Sequence, residues 1–341
     1  MPQLIQHPIA NRPNIQEAVL RDGDHMLSVL NYGAVTRNWV VPVDGKPVSV
    51  ILGFQNPADY LTSPYFLGTI AGRVSNRIGG ARFSLNGQDH VLAANEGTNQ
   101  LHGGPDALNT KFWDIEQVDD QTVQLGLQSA HGENGYPGNV TFHVKIHLNG
   151  AIVTYELQAQ VDRPTPISLA QHNYYNLMGH GGIWGHQMTC VADHVLAKGP
   201  DNVSTGQIDP VAQTAFDFRQ ARRFDQAHPD QPSPDRGVLD GHLVFPKDRD
   251  PDAPVACFRA DNGVTMRVWS DQSGAQIYNA AGMPELSGGL NGQTYPAAAG
   301  FCFEPQGHPN AVNIPSFPSV IATPEHPYRQ VLEVEIKQIS Q

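Results

Sequence analysis

A glutamate between apolar neighbours and a histidine opening a polar run are the residues best suited to move protons. Glu304 lies in 300-GFCFEPQGHPN-310, between Phe303 and Pro305. A carboxylate in apolar surroundings tends toward a raised pKa, which suits a general base. A Glu paired to an Arg at a strand end fits the same residues equally well. His172 lies in 167-ISLAQHNYYNL-177. Ile167 and Leu169 alternate with small or polar neighbours, as on a half-buried strand. The alternation then breaks on His172, Asn173, Tyr174, Tyr175 and Asn176. Such a run either satisfies backbone groups at a strand end or grips a polyol. Three further segments offer polar groups beside glycine. His102 precedes Gly103-Gly104 in 95-NEGTNQLHGG-104, where the glycines permit a sharp backbone path that presents the imidazole. Asn76 and Arg77 sit in 72-GRVSNRIGG-80, and their planar donors suit sugar hydroxyls. Asp240 sits in 237-GVLDGHLVF-245, in a loop leading into a strand. Read singly, the His102 and Asn76-Arg77 segments are ordinary turns. The glycines of the second are followed by no helix signal, and no G-x-G-x-x-G is present, so a phosphate cradle is not indicated.

These groups must be carried by strands. In 140-VTFHVKIHL-148 and 151-AIVTYELQAQV-161 apolar residues recur at every second position, joined by Asn149-Gly150. That dipeptide suits a two-residue type I′ hairpin. Asn86-Gly87 repeats the signal, and Asn262-Gly263 precedes another alternating run at 264–270. Further strands read at 122–128, 187–197, 275–280 and 331–339. His143 and His147 fall on an outward strand face. Sustained helical periodicity is nearly absent. The expectation is all-β: a large antiparallel sandwich of stacked sheets with long functional loops, one domain over 1–341. The Pro/Asp-rich segment 225–237 reads as a surface loop within it.

Composition sets bounds. The chain has 341 residues, enough for a sizeable core, and 16% charged residues, an ordinary globular value. The net charge of −12 argues against nucleic acid or anionic membrane as partners, which demand a basic footprint. The first residues show no basic stretch followed by an apolar run, so no secretory signal is read. No apolar stretch is long enough to cross a bilayer. The three cysteines, Cys190, Cys257 and Cys302, are expected as buried free thiols, which points to the cytoplasm. No Cys/His spacing suggests a zinc site.

Taken together, these segments resemble the aldose 1-epimerase (mutarotase) family. The resemblance runs through GRVSNRIGGARFSLNG, NEGTNQLHGG with KFWDIE, GENGYPG and QHNYYNL. It continues through TGQIDPVAQTAFDFR, SGAQIYNA and FEPQGHPNAVN, in shared order and spacing. It implies a β-supersandwich. It also implies interconversion of α and β anomers of free aldohexoses such as glucose and galactose, without metal or other cofactor. His172 matches the family's general acid and Glu304 its general base. Asn76, Arg77, His102, Tyr174, Asp240 and Gln276 match positions that bind sugar hydroxyls. The hemiacetal would open as Glu304 takes the C1 hydroxyl proton and His172 donates to the ring oxygen. Rotation about C1–C2 and reclosure give the other anomer. With ordinary values, about 4.3 for Glu and 6.5 for His, the acidic limb of the pH profile belongs to Glu304 and the alkaline limb to His172. Two departures stand out: Gly241 intervenes between Asp240 and His242, and Ala215 replaces a usual Pro. The expected partner is a small aldose, with the chain a monomer or homodimer. Rival readings are a glycoside hydrolase using Asp240 and Glu304, an inactive sugar-binding module, and an epimerase of sugar phosphates. The last would use an Arg cluster drawn from Arg73, Arg77 and Arg82.

Overall fold

A computed structural model describes residues 4–227 and 237–339. The segment read as a surface loop at 225–237 lies mostly outside them. Among the described residues the elements are strands and 3-10 turns of three to five residues, and no helix is long and apolar enough to cross a membrane.

Three antiparallel sheets carry the architecture. The largest has nine strands, with Val140–Asn149, Ile152–Val161 and the long Tyr328–Gln338 adjacent at its middle. The alternation read in the sequence is the pleat: Phe142, Val144, Ile146 and Leu148 are buried on one face, while His143 is exposed on the other. The hairpin turn falls one residue later than expected. Asn149 pairs with Ile152, so the loop is Gly150-Ala151, with positive φ (+54°) at its first position only. A type I′ turn needs it at both. Asn86-Gly87 does have both, with φ of +53° and +77°, between Arg82–Leu85 and Gln88–Val91.

A five-stranded sheet from Ile5–His7 to Lys46–Ser49 covers part of the large sheet. Leu20, Leu27, Trp39 and Val41 join Val144, Tyr155 and Leu157 in one buried cluster between them. The second five-stranded sheet runs Ser204–Pro210, His194–Lys198, Asp240–Val244, Gly274–Tyr278, Cys302–Gln306. Its core face packs Phe303 on Phe258 of the large sheet, ring centroids 5.4 Å apart, beside a Phe258–Phe301 stack at 4.6 Å. Such burial contributes about 1.5–3 kcal/mol per phenylalanine.

Three strand expectations change. The run 187–197 is two strands, Gln187–Cys190 in the nine-stranded sheet and His194–Lys198 in the second five-stranded one. The chain crosses between layers at 191–193, where Val191 N–H donates to Val255 O and Asp193 O accepts from Val211. The stretch 167–177 is not half-buried. All of it is buried, and only Ala170–Gln171 forms a ladder, with isolated bridges from Ser168 and Tyr175. It threads between sheets, so both of its faces meet protein. Asp240 is itself the first residue of a strand rather than part of the preceding loop. The three cysteines are free, as expected, but Cys257 is only half-buried.

Candidate active site

The second five-stranded sheet divides its residues by strand parity. Register places Asp240 opposite Tyr278, Gln276 opposite Glu304, and His242 opposite Gln276. Opposed residues share a face, so Asp240, His242, Gln276, Tyr278, Cys302, Glu304 and Gln306 all lie on one side. Leu243, Ala275, Ile277 and Phe303 lie on the other, in the core. Gly241 belongs to the core face. The ladder runs unbroken from Asp240–Tyr278 to Val244–Gly274, so Gly241 opens no bulge and leaves Asp240 on the polar side. A Cβ there would come within 2.4 Å of the Phe216 ring, which accounts for the glycine.

The stretch 172–176 sorts its five polar side chains in the same way. Asn173 donates to the hydroxyls of Tyr155 and Tyr175, and Asn176 to carbonyls including Ala299 O at 2.7 Å. Those residues serve the fold. His172 and Tyr174 turn the other way, with ring centroids 5.2 Å apart. His172 is fixed through its backbone to Thr69 O and Gly68 N, and its ring stacks on Phe66 at 5.8 Å. The Tyr174 hydroxyl donates to Tyr65 O at 2.9 Å.

His102 arrives from a third direction. It has φ of +49° and is followed by two glycines at +91° and +103°. At Gly103 a Cβ would lie 2.0 Å from Gly72 O, so the chain passes there only without a side chain. His102 Nδ1 accepts from Asn76 N–H at 3.2 Å, which leaves Nε2 to carry the proton. Asn76 Oδ1 accepts from Arg77 N–H at 2.9 Å.

All eight candidate residues line one cavity of about 280 Å³: Asn76, Arg77, His102, His172, Tyr174, Asp240, Gln276 and Glu304. That volume is enough for a monosaccharide. At its centre His172 Nε2 lies 3.6 Å from Glu304 Oε1, both side chains buried. Glu304 Oε2 is buried without a hydrogen-bond partner, so one acceptor of the site awaits a donor. Asp240 is held from two sides: Gln276 donates to Oδ1 in a short contact, and Lys198 Nζ stands 3.1 Å from Oδ2. Arg77 is gripped by Glu96 at 2.5 and 2.7 Å.

Burial dominates the proton affinities. It raises the Glu304 carboxyl well above the usual carboxylate range, and the charge of Asp240 adds to the effect. It lowers the His172 imidazole to about 4. Burial, then His172 and Arg77, hold His102 far below its ordinary value, so His102 is neutral. The proton of the central pair therefore rests on Glu304, opposite to the placement expected from ordinary values.

Sequence reading missed several residues. Phe66, Tyr65, Tyr278 and Met283 line the cavity, and Glu96 and Lys198 brace its charged members. Tyr278 was accessible by period two from Gln276. Phe66, at φ of +56°, carried no local signal.

Comparison with known proteins bears on the family and the fold. The family model described as aldose 1-epimerase matches residues 16–335. A galactose mutarotase of Rattus norvegicus is 31% identical over 321 residues, 92% of each chain. An aldose 1-epimerase of Escherichia coli is 29% identical over 303 residues, 86% of each. Among solved structures, an aldose epimerase homologue from C. elegans superposes with a TM-score of 0.89 at 23% identity, covering 96% of this chain and all of that one. A galactose 1-epimerase from Lactobacillus acidophilus gives 0.86 at 25% identity, covering 99% of both.

Proposed function

The chain belongs to the aldose 1-epimerase family, and on that premise we propose that it interconverts the α and β anomers of free aldohexoses such as glucose and galactose. The observation that carries this reading is the His172–Glu304 pair, 3.6 Å apart on the floor of a sugar-sized cavity. Between them the two groups share one proton, with Glu304 raised and His172 lowered by burial. A bound sugar supplies a hydroxyl donor to the Glu304 oxygen that has no protein partner. Hydrogen bonding to the carboxylate favours its ionised form and moves the proton to His172. Glu304 then takes the C1 hydroxyl proton while His172 donates to the ring oxygen. The C1–O5 bond breaks, the carbonyl end turns about C1–C2, and reclosure on the other face returns both protons. Asn76, Arg77, His102, Tyr174, Asp240 and Gln276 hold the hydroxyls. Because Tyr174 spends its proton on Tyr65 O, it meets the sugar as an acceptor and through its ring.

Free sugars are favoured over phosphates by the fate of the arginines. Arg73 is buried and bonds Ser129 and the carbonyls of Ala130, Pro137 and Gly138, away from the cavity. Arg82 is exposed and does not line it, and Arg77 is neutralised by Glu96. No cluster is left for a phosphate. A glycosidase pair is disfavoured because both oxygens of Asp240 are engaged by Gln276 and Lys198.

We read the chain as one domain, since a single buried cluster joins the layers. The unpaired thiols favour a reducing cytoplasm. The test is optical rotation of freshly dissolved α-glucose, α-galactose and glucose 6-phosphate, with a chelator present. Rapid decay for the free sugars is expected. Decay at the buffer rate for every sugar sinks the proposal.

A further inference from the structure

Beneath His172 lies a side chain to which the mutarotase reading gives no task. Cys302 is two residues before Glu304 on the same strand face, fully buried, with Sγ 3.6 Å from His172 Nδ1. One donor atom each from His172, Cys302 and Glu304 lies within 4.8 Å of the other two. These are imidazole nitrogen, sulfur and carboxylate oxygen, the three kinds of ligand atom that Zn²⁺ takes from proteins.

We propose that His172, Cys302 and Glu304 form an inhibitory site for a borderline-soft divalent cation, Zn²⁺ above all. The inference rests on the proposed function only in taking the same pair as the catalytic one. Three observations support it. Tetrahedral Zn²⁺ places its ligand atoms about 3.5 Å apart, and one donor atom from each of the three residues already lies within 4.8 Å of the others, the nearest approaches being Cys302 Sγ to His172 Nδ1 and Glu304 Oε1 to His172 Nε2, each 3.6 Å. Those two approaches end on opposite ring nitrogens, so whichever nitrogen binds the metal, the donor that faces the other one must move toward it. Glu304 Oε2 is buried and has no protein hydrogen-bond partner, so a ligand atom is free to engage it. Charge also balances. Zn²⁺ binding expels the thiol proton of Cys302 and the carboxyl proton of Glu304. The dication is then matched by thiolate and carboxylate in a neutral assembly, the only kind cheap to bury. The fourth position faces the cavity and takes water. With Glu304 and His172 on the metal, neither is left to exchange protons with a sugar.

The test uses the full chain, first stripped with EDTA and assayed by polarimetry. Zn²⁺ should then inhibit, competitively with galactose, and EDTA should restore the rate. Co²⁺ should bind with a sulfur-to-cobalt charge-transfer band in the near ultraviolet, displaced by saturating galactose. Cys302→Ser and Cys302→Ala should remove the band and weaken inhibition by at least the 10–100-fold typical of losing an outer-shell partner. If either variant misfolds, the wild-type Co²⁺ band and its loss with galactose decide the matter. A Co²⁺ adduct without a thiolate band overturns the proposal. So does an active wild-type enzyme indifferent to Zn²⁺, or inhibition unchanged in the folded Cys302 variants. Failure of the mutarotase reading looks different: the chelated enzyme would not exchange anomers, while the Co²⁺ band would still report on the site.

Discussion

His172 Nε2 lies 3.6 Å from Glu304 Oε1, and both groups are held in their uncharged forms by burial. Removing either ends the proton exchange. Glu304→Gln and His172→Asn should each lower kcat by about 10²-fold or more. The two should differ in stability. At neutral pH the unfolded chain ionises this carboxyl and folding must protonate it again, a cost that glutamine does not have. Glu304→Gln should therefore melt at or above the wild-type temperature at neutral pH. Near-full activity in a folded variant removes that residue from the mechanism.

The pH profile follows from where the shared proton sits. The pair is competent while it holds one proton. A second proton enters at His172, near a pH of about 4, which sets the acidic limb. The last proton leaves from Glu304, well above the ordinary carboxylate range, which sets the alkaline limb. This reverses the assignment that ordinary values of about 4.3 and 6.5 give. The expected kcat/KM profile, measured by polarimetry and corrected for the uncatalysed rate, is a broad plateau through neutrality. In Glu304→Gln the residual activity should lose its alkaline limb. A wild-type rate already falling steeply between pH 6 and 7, from a group near about 6.5, contradicts it.

Much of this was legible in the sequence, and the failures have physical causes. Period two revealed the strands 140–148 and 151–161 because one face of that sheet meets core and the other meets water. It misled at 167–177, where both faces are buried and polar residues serve opposite sides. It fused Gln187–Cys190 with His194–Lys198 because a crossing between layers leaves the hydrophobic pattern intact. The eight site residues came from motif order, and they converge on one cavity. Lys198 and Glu96 did not, because a salt bridge between distant residues follows from which strands are neighbours. His194–Lys198 lies beside Asp240–Val244 only in the folded sheet.

Acid should destabilise the fold before it stops catalysis. Burial lowers His172, His186 and His308 to about 4 each. In the unfolded chain they titrate near 6.5, so between these values the unfolded state binds more protons. Stability then rises with pH, and it falls as pH drops from about 6.5 toward about 4. Each histidine contributes up to about 1.4 kcal/mol per pH unit. Glu304 acts with the opposite sign, because its folded value is raised. The buried His102 and His242, held well below the ordinary value, add to the same slope, so several imidazoles outweigh the one raised carboxyl. Urea midpoints at pH 7 and pH 5 measure it. Equal midpoints would mean that these imidazoles protonate without leaving the fold.

Asp240 offers the sharpest separation of binding from chemistry. Its two oxygens are oriented by Gln276 and by Lys198 Nζ at 3.1 Å, with both charged side chains about a quarter exposed. Asp240→Ala leaves a sugar hydroxyl unpaired, at about 1–3 kcal/mol, which is about 5- to 150-fold in kcat/KM. Lys198 acts one step back, as a positioning residue. A bridge this exposed contributes only about 0.2–1 kcal/mol, so Lys198→Met should raise KM less than fivefold and leave kcat nearly unchanged. Lys198→Arg should restore most of the loss, because it keeps the charge. In an Asp240→Ala background, Lys198→Met should add nothing, since the residue it positions is gone. Two results would move the sugar contact elsewhere: an unchanged kcat/KM in Asp240→Ala, or a full and additive Lys198 effect in the double variant. Tyr278, opposite Asp240 in the ladder and lining the cavity, would then be the next candidate, since His242 is buried against His308 and does not line it.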